Sequence, residues 1–267
     1  MLLRCFVFIF FVTPSVFAAK TVKMATYPIP LMVENEDKGI FVQLAKELGL
    51  RTQQKIVIEV KPASKSILAF STGEVDAIFP GLDVIMPKNC AKSEPFYLKT
   101  DFIFYRTDKP LRDLKHLEGK KVGLTFRYPY AKELTANKKI KFELAPNDVV
   151  NMKKLASGAI DAFVVEERSG LEALKVSGEK NISYDKERPL SKQSVYFAFQ
   201  NNSEGEQLAE KFSKAILEMK KDGSFDRIIN ATPATATATP PPPAGLPSGS
   251  EPEAVDQSSS PNALEVN

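Results

Sequence analysis

Two ten-residue stretches restrict most sharply what this chain can fold into: FSTGEVDAIF at positions 70–79 and LASGAIDAFV at positions 155–164. Each reads as the end of an amphipathic helix, a Gly stop, and an apolar strand that opens on Asp-Ala. Each runs into a polar segment, Gly81-Leu82-Asp83 after the first and Glu166-Glu167-Arg168 after the second. A helix-to-strand unit used twice in matching contexts predicts two equivalent lobes. Ligands of open α/β sheets bind beyond the carboxyl ends of the strands. The two polar segments are therefore expected to meet across a cleft.

The surrounding periodicity agrees. Residues 21–25 and 55–61 (KIVIEVK) alternate as strands, and IFVQLAKELGL between them carries apolar residues at helical spacing up to a Gly. DFIFY, KKVGLTF and VYFAF read as further strands. SEGEQLAEKFSKAILEMKKDG reads as a helix with a capping box, Ser203 with Glu206, and a terminating Gly223. Strands alternating with helices predict an α/β architecture.

The two ends differ from this region. Residues 1–18 carry one early cation, Arg4, an apolar block at 5–12, and Val16 and Ala18 at the positions of a cleavage site. That is the pattern of a cleaved secretory signal, which predicts export to the periplasm. No other segment approaches the ~20 apolar residues of a membrane span, so no insertion of the mature chain is expected. From Ala231 to the end, Pro, Ala, Thr and Ser dominate and large apolar residues nearly vanish, which predicts a disordered tail. Removing the signal leaves Cys90 as the one cysteine, so the exported protein must rely on its core rather than on an internal disulfide. Cys90 is expected to be inert. The formal charge of +3, with no basic stretch interleaved with aromatics, argues against a nucleic-acid partner. A single His, His116, expected to be a solvated helix residue, argues against zinc. No metal and no cofactor are expected.

The chain resembles the periplasmic solute-binding proteins of polar amino acid ABC transporters, family 3. The residues that carry the resemblance are ATYPIP, GIFVQLAKELG, STGEVDAIFPGL, SEPFY, DLKHLEGKKVGL, SGAIDAFVVEE and KKDGSFDRII, in the family's order. It implies a two-lobed, type II periplasmic-binding-protein fold with two crossing hinge strands, DFIFY and VYFAF. The first lobe would comprise residues 19–105 and 195–230, the second 106–194, with the signal at 1–18 and the tail at 231–267. It also implies a small polar solute (an amino acid or a related amine or zwitterion), a membrane ABC permease as partner, a monomer, and no enzymatic activity. Two alternatives stay open: an exported enzyme of the same fold, dehydratase-like, and a ligand-sensing subunit of a membrane receptor.

The resemblance places the site as follows. Tyr27, in ATYPIP, falls where the family sets an aromatic wall against the ligand. Glu166 falls on the acid that receives the ligand ammonium. Asp83 falls near a ligand-contacting Thr, in a loop about two residues short. Pro87-Lys88-Asn89 replaces the family's Pro-Glu-Arg, so the arginine that forks onto the ligand carboxylate is missing, and a Lys offers no planar bidentate contact. Asn89, at the position of that arginine, is expected to contact the solute, and the candidates to replace the arginine are Lys88 and, in RYPYAKEL, Arg127 with Tyr128. The last pair is expected at a helix N-terminus, which favours anions. Phe96 and Tyr97 are expected to line the hinge rather than touch solute.

Overall fold

The computed structural model describes residues 21–231. The expected signal at 1–18, and the expected tail beyond Ala231, lie outside the described residues. Among the described residues no helix is long and apolar enough to cross a membrane.

The first repeat is built as the sequence predicts. Strand β1 (Thr21–Thr26) leads through α1 (Ile40–Arg51) to β2 (Lys55–Val60), and α2 (Ala63–Ser71) leads to β3 (Ala77–Gly81). After β4 (Ala91–Lys92), the ten-residue β5 (Tyr97–Arg106) crosses to a second set of elements. There β6 (Lys121–Thr125), the single turn α3 (Lys132–Thr135), β7 (Lys141–Ala145), α4 (Asp148–Ala156) and β8 (Ala162–Glu166) repeat the order of the first set. Helix α5 (Glu167–Ser177) and β9 (Ile182–Tyr184) follow, and β10 (Ser191–Phe199) crosses back to α6 (Ser203–Asp222) and α7 (Ser224–Ile229).

The strands form one curled sheet in the order β2-β1-β3-β10-β5-β8-β6-β7. Its two halves match. β1 runs parallel to β2 and β3, as β6 runs parallel to β7 and β8. The crossing strands pair antiparallel with each other, β10 lying on β3 and β5 on β8.

The equivalence extends to single side chains. In each repeat the Gly takes a left-handed turn, at φ 76° for Gly73 and 79° for Gly158, a conformation that costs other residues a Cβ clash. The Asp that follows then locks onto the neighbouring strand. Asp76 accepts from the Lys23 N–H at 2.8 Å, and Asp161 accepts from the Lys121 N–H at 2.9 Å. Each turn is also tied by a donor at the end of a crossing strand. Gln200 Nε2 donates to the carbonyls of Phe70 and Val75 at 2.7 and 2.8 Å. Arg106 Nη1 donates to the corresponding carbonyls of Leu155 and Ile160, both at 2.9 Å. Buried carbonyls need partners, and each half supplies them from the same place by a different residue.

The apolar faces close separate cores. One joins β1, α1, β10 and α6 around Phe79, Phe197, Phe199 and Phe212, with a smaller cluster around Phe70, Ile78 and Tyr196 on the other face of those strands. The second set buries Leu117, Val122 and Val164 on one face and Phe104, Phe163 and Leu155 on the other. Phe96 packs edge-on to Phe41, with ring centroids 5.0 Å apart, inside the first core. Cys90 is buried and free, and burial pushes its thiol pKa up, which suppresses the reactive thiolate. His116 is exposed on a single 3-10 turn, with Nδ1 2.9 Å from Asp113.

One helix start differs from its expected place. Helix α6 is capped by Asn202, whose side chain accepts from the Gly205 N–H at 2.8 Å, not by Ser203. Asn202 has the extended backbone of a cap, with φ −153°. Gly223 ends the helix in a left-handed conformation, as expected.

Candidate binding site

The carboxyl ends of strands from both halves open onto one cavity. Its wall takes Tyr27, just beyond β1, and Pro80 and Leu82 at the end of β3. Ile29, Met32 and Phe41 add apolar surface, and Tyr97, Lys99 and Val195 come from the crossing strands. The second half contributes Tyr128, Pro129, Glu166 and Ser169. About 60 Å³ of the space is open to the centre of a water molecule, several times the roughly 10–15 Å³ that one water requires.

Glu166 is the best-placed acid. It ends β8, is 8 % exposed, and caps α5 by accepting from the Ser169 N–H at 2.9 Å. A carboxylate at a helix N-terminus is favoured by the orphan amides and the dipole. Its other oxygen accepts from the Tyr97 hydroxyl at 2.7 Å. A carboxylate offers about four lone-pair sites, so acceptor capacity remains on the cavity side. Burial raises the Tyr27, Tyr97 and Tyr128 hydroxyls well above their ordinary pKa, helped at Tyr97 by the adjacent Glu166 charge and at Tyr128 by Asp148. The three phenols are neutral rings with a donor at one end.

Lys99 is the cation on the wall. Tyr97, Lys99 and Asp101 follow at every second position of β5 and so share one face. Lys99 binds Asp101, which is 1 % exposed and also accepts from the Ser191 hydroxyl at 2.9 Å. The Lys99 ammonium also lies 5.5 Å from the centroid of the Tyr130 ring.

Behind Tyr128 sits a third buried acid. Asp148 accepts from the Thr125 hydroxyl and, at 3.4 Å, from the Tyr128 hydroxyl. Burial raises its pKa, and the Glu166 charge adds to the rise, against the hydrogen bonds and Lys99. The native state therefore holds this proton to higher pH than the unfolded chain does. Stability is lost as pH climbs from the ordinary carboxylate range through the folded-state pKa. Asp148→Asn should remove that loss. In urea melts between pH 4 and pH 8, the variant should gain on wild type as pH rises, and the opposite slope would refute the assignment.

The family model of the bacterial extracellular solute-binding proteins, family 3, matches residues 21–231. The chain belongs to this family. It is 24 % identical over 195 residues to an arginine-binding extracellular protein of Bacillus subtilis, covering 71 % of this chain and 75 % of the relative. It is 23 % identical over 207 residues to a putative amino-acid ABC transporter-binding protein of Vibrio harveyi, covering 76 % of this chain and 82 % of the relative. Among solved structures, an ancestral arginine-binding protein bound to arginine superposes with TM-score 0.62 at 22 % identity, over 79 % of this chain and 96 % of that one. The fold is thus the type II periplasmic-binding-protein fold, and the relatives matched are binding proteins rather than enzymes.

Of the residues that the family resemblance nominated, the structure brings Tyr27, Tyr128 and Glu166 together on the cavity wall. The other four lie off it. Asp83 points away. After Leu82 the chain turns, with the amides of Ile85 and Met86 both donating to the Leu82 carbonyl. The Asp83 side chain, 73 % exposed, accepts from Lys92 Nζ at 2.6 Å and the Tyr196 hydroxyl at 2.7 Å. Those two bonds, Lys92 first, lower its pKa. Lys88 is exposed on the same loop, and Asn89 borders a separate depression with Phe70, Cys90 and Gln200.

Arg127 is not at a helix N-terminus. It occupies a turn at φ 66°, exposed, with its guanidinium over the Phe126 ring at 4.8 Å, and the following helix starts only at Lys132. Nor does Arg168 pair with Glu166. It donates to the Ile229 carbonyl at 2.7 Å and to Asn230 Oδ1 at 3.2 Å, joining the start of α5 to the end of α7. Tyr97, expected at the hinge, lines the cavity, and so does Lys99, which no family motif marks.

Proposed function

We propose that this protein is exported through a cleaved signal at 1–18 and captures a small amine-bearing polar solute in the cavity, between lobes at 19–105 with 195–230 and at 106–194. It then hands the solute unchanged to a membrane ABC permease, acting as a monomeric feeder rather than an enzyme. Glu166 receives the solute ammonium, and Tyr27, Tyr97 and Tyr128 pack against its body. The observation that carries this reading is the buried Glu166 carboxylate, held from two sides and with acceptor capacity left over, on a wall that is aromatic and aliphatic apart from Lys99 and Ser169. Membership of the solute-binding family supports it, as do the relatives named for arginine and for amino acid ABC transport.

The test is a thermal-shift screen of amino acids, amines and ring acids, with mass analysis of the solute after incubation. A true ligand at one hundred times its Kd should add about 2.7 kcal/mol of stability and be recovered intact. Stabilisation by amine-free acids alone, or a solute consumed by catalytic amounts of protein, would overturn the reading.

A further inference from the structure

The charged groups near the cavity that could hold an anion are already engaged by the protein itself. Lys99, the cation on the wall, is bound by the buried Asp101. The Arg168 guanidinium lies 5.6 Å from the centroid of the Tyr97 ring and donates to the Ile229 carbonyl and Asn230 Oδ1. Amides at two helix N-termini are engaged as well. At α5 the Ser169 amide is taken by Glu166. At α1 the amides of Ile40 and Phe41 donate to the carbonyls of Leu31 and Met32 at 3.1 and 2.9 Å.

Features that hold cations remain open. Glu166 keeps unused lone pairs, and Tyr27, Tyr97 and Tyr128 present aromatic surface, which attracts ammonium groups through the ring quadrupole. Two oxygens of residues adjoining the wall, Thr26 Oγ1 and Gln193 Oε1, are buried with no partner among the described residues, although neither residue lines the cavity. Thr26 precedes Tyr27, and Gln193 donates to the carbonyl of Pro129, on the wall, at 3.0 Å. Both spare groups can accept a hydrogen bond.

We propose that the cavity selects a small organic amine or diamine without an α-carboxylate, over the amino acid of the same side chain. This rests on the reading of Glu166 as the ammonium acceptor. A carboxylate entering the same space would meet an ammonium already neutralised by Asp101 and would lie near Glu166. Burying a charge without a partner is strongly unfavourable, whereas an ammonium meets the Glu166 carboxylate and three tyrosine rings.

The experiment is titration calorimetry on the full-length mature protein with matched sets: lysine, 1,5-diaminopentane and hexanoate; arginine and agmatine; phenylalanine and phenethylamine. In each pair that binds, the amine should bind at least tenfold more tightly than its amino acid. An amino acid that binds as tightly as its amine, or more tightly, would overturn the selectivity and leave Glu166 as the ammonium site. Binding of hexanoate alone would overturn both readings. Binding of no member would overturn the selectivity proposed here.

Discussion

Asp101→Ala should destabilise the ligand-free protein by about 3–5 kcal/mol, because it leaves the Lys99 ammonium largely buried and unpaired. For a folded region of this length, that corresponds to a fall in Tm of roughly 6–20 °C. Asp101 lies on β5, opposite Glu166 in the register of β8 and opposite Ser191 in that of β10. It sits where the two crossing strands and the second half of the sheet meet. The loss is a penalty on what remains rather than the worth of the pair, and that distinction supplies the control. Lys99→Met together with Asp101→Ala removes both charges, so the double variant should lose clearly less than Asp101→Ala alone. Urea melts of the wild type, both single variants and the double variant close the cycle. A double variant as unstable as Asp101→Ala would mean that strand packing, not the charge, carries the effect.

The repeat was legible because it rests on short-range rules. A Gly at the end of a helix and an apolar run opening on Asp-Ala announce the same turn twice, and Gly73 and Gly158 take it with nearly the same φ. The ties from Gln200 and Arg106 were not legible. They perform one task with different residues, and join positions 125 to 130 apart in one case and 49 to 54 in the other. The start of α6 failed for a local reason: Ser203-x-x-Glu206 and Asn202-x-x-Gly205 are both capping patterns one residue apart, and the extended backbone falls on Asn202. Asp83 could not be placed because the turn after Leu82 and the partners Lys92 and Tyr196 are set by tertiary packing. Lys99 did leave a signal. In YLKTD the Tyr, Lys and Asp alternate along a strand, and residues two apart share a face, so one look at that period links Lys99 with both Tyr97 and Asp101.

Glu166→Gln isolates the charge on which the proposed site depends. The variant keeps one carbonyl oxygen to accept from the Ser169 amide, and its new amide group can donate to the Tyr97 hydroxyl oxygen in place of the bond the carboxylate accepted. Helix α5 therefore keeps its cap, and the ligand-free protein should melt close to wild type. The solute loses a charge-assisted acceptor inside a largely buried wall, and such contacts contribute roughly 1.5–3 kcal/mol. Affinity for an amine-bearing solute should fall by about one to two powers of ten. Asp83→Asn is the matched control. It changes an acid of the neighbouring loop that points to solvent, and should leave affinity within about twofold, a few tenths of a kcal/mol. Calorimetry on both variants separates the outcomes. If Glu166→Gln binds like wild type while Asp83→Asn does not, the solute is held on the Asp83 side and the cavity described here is not the binding site.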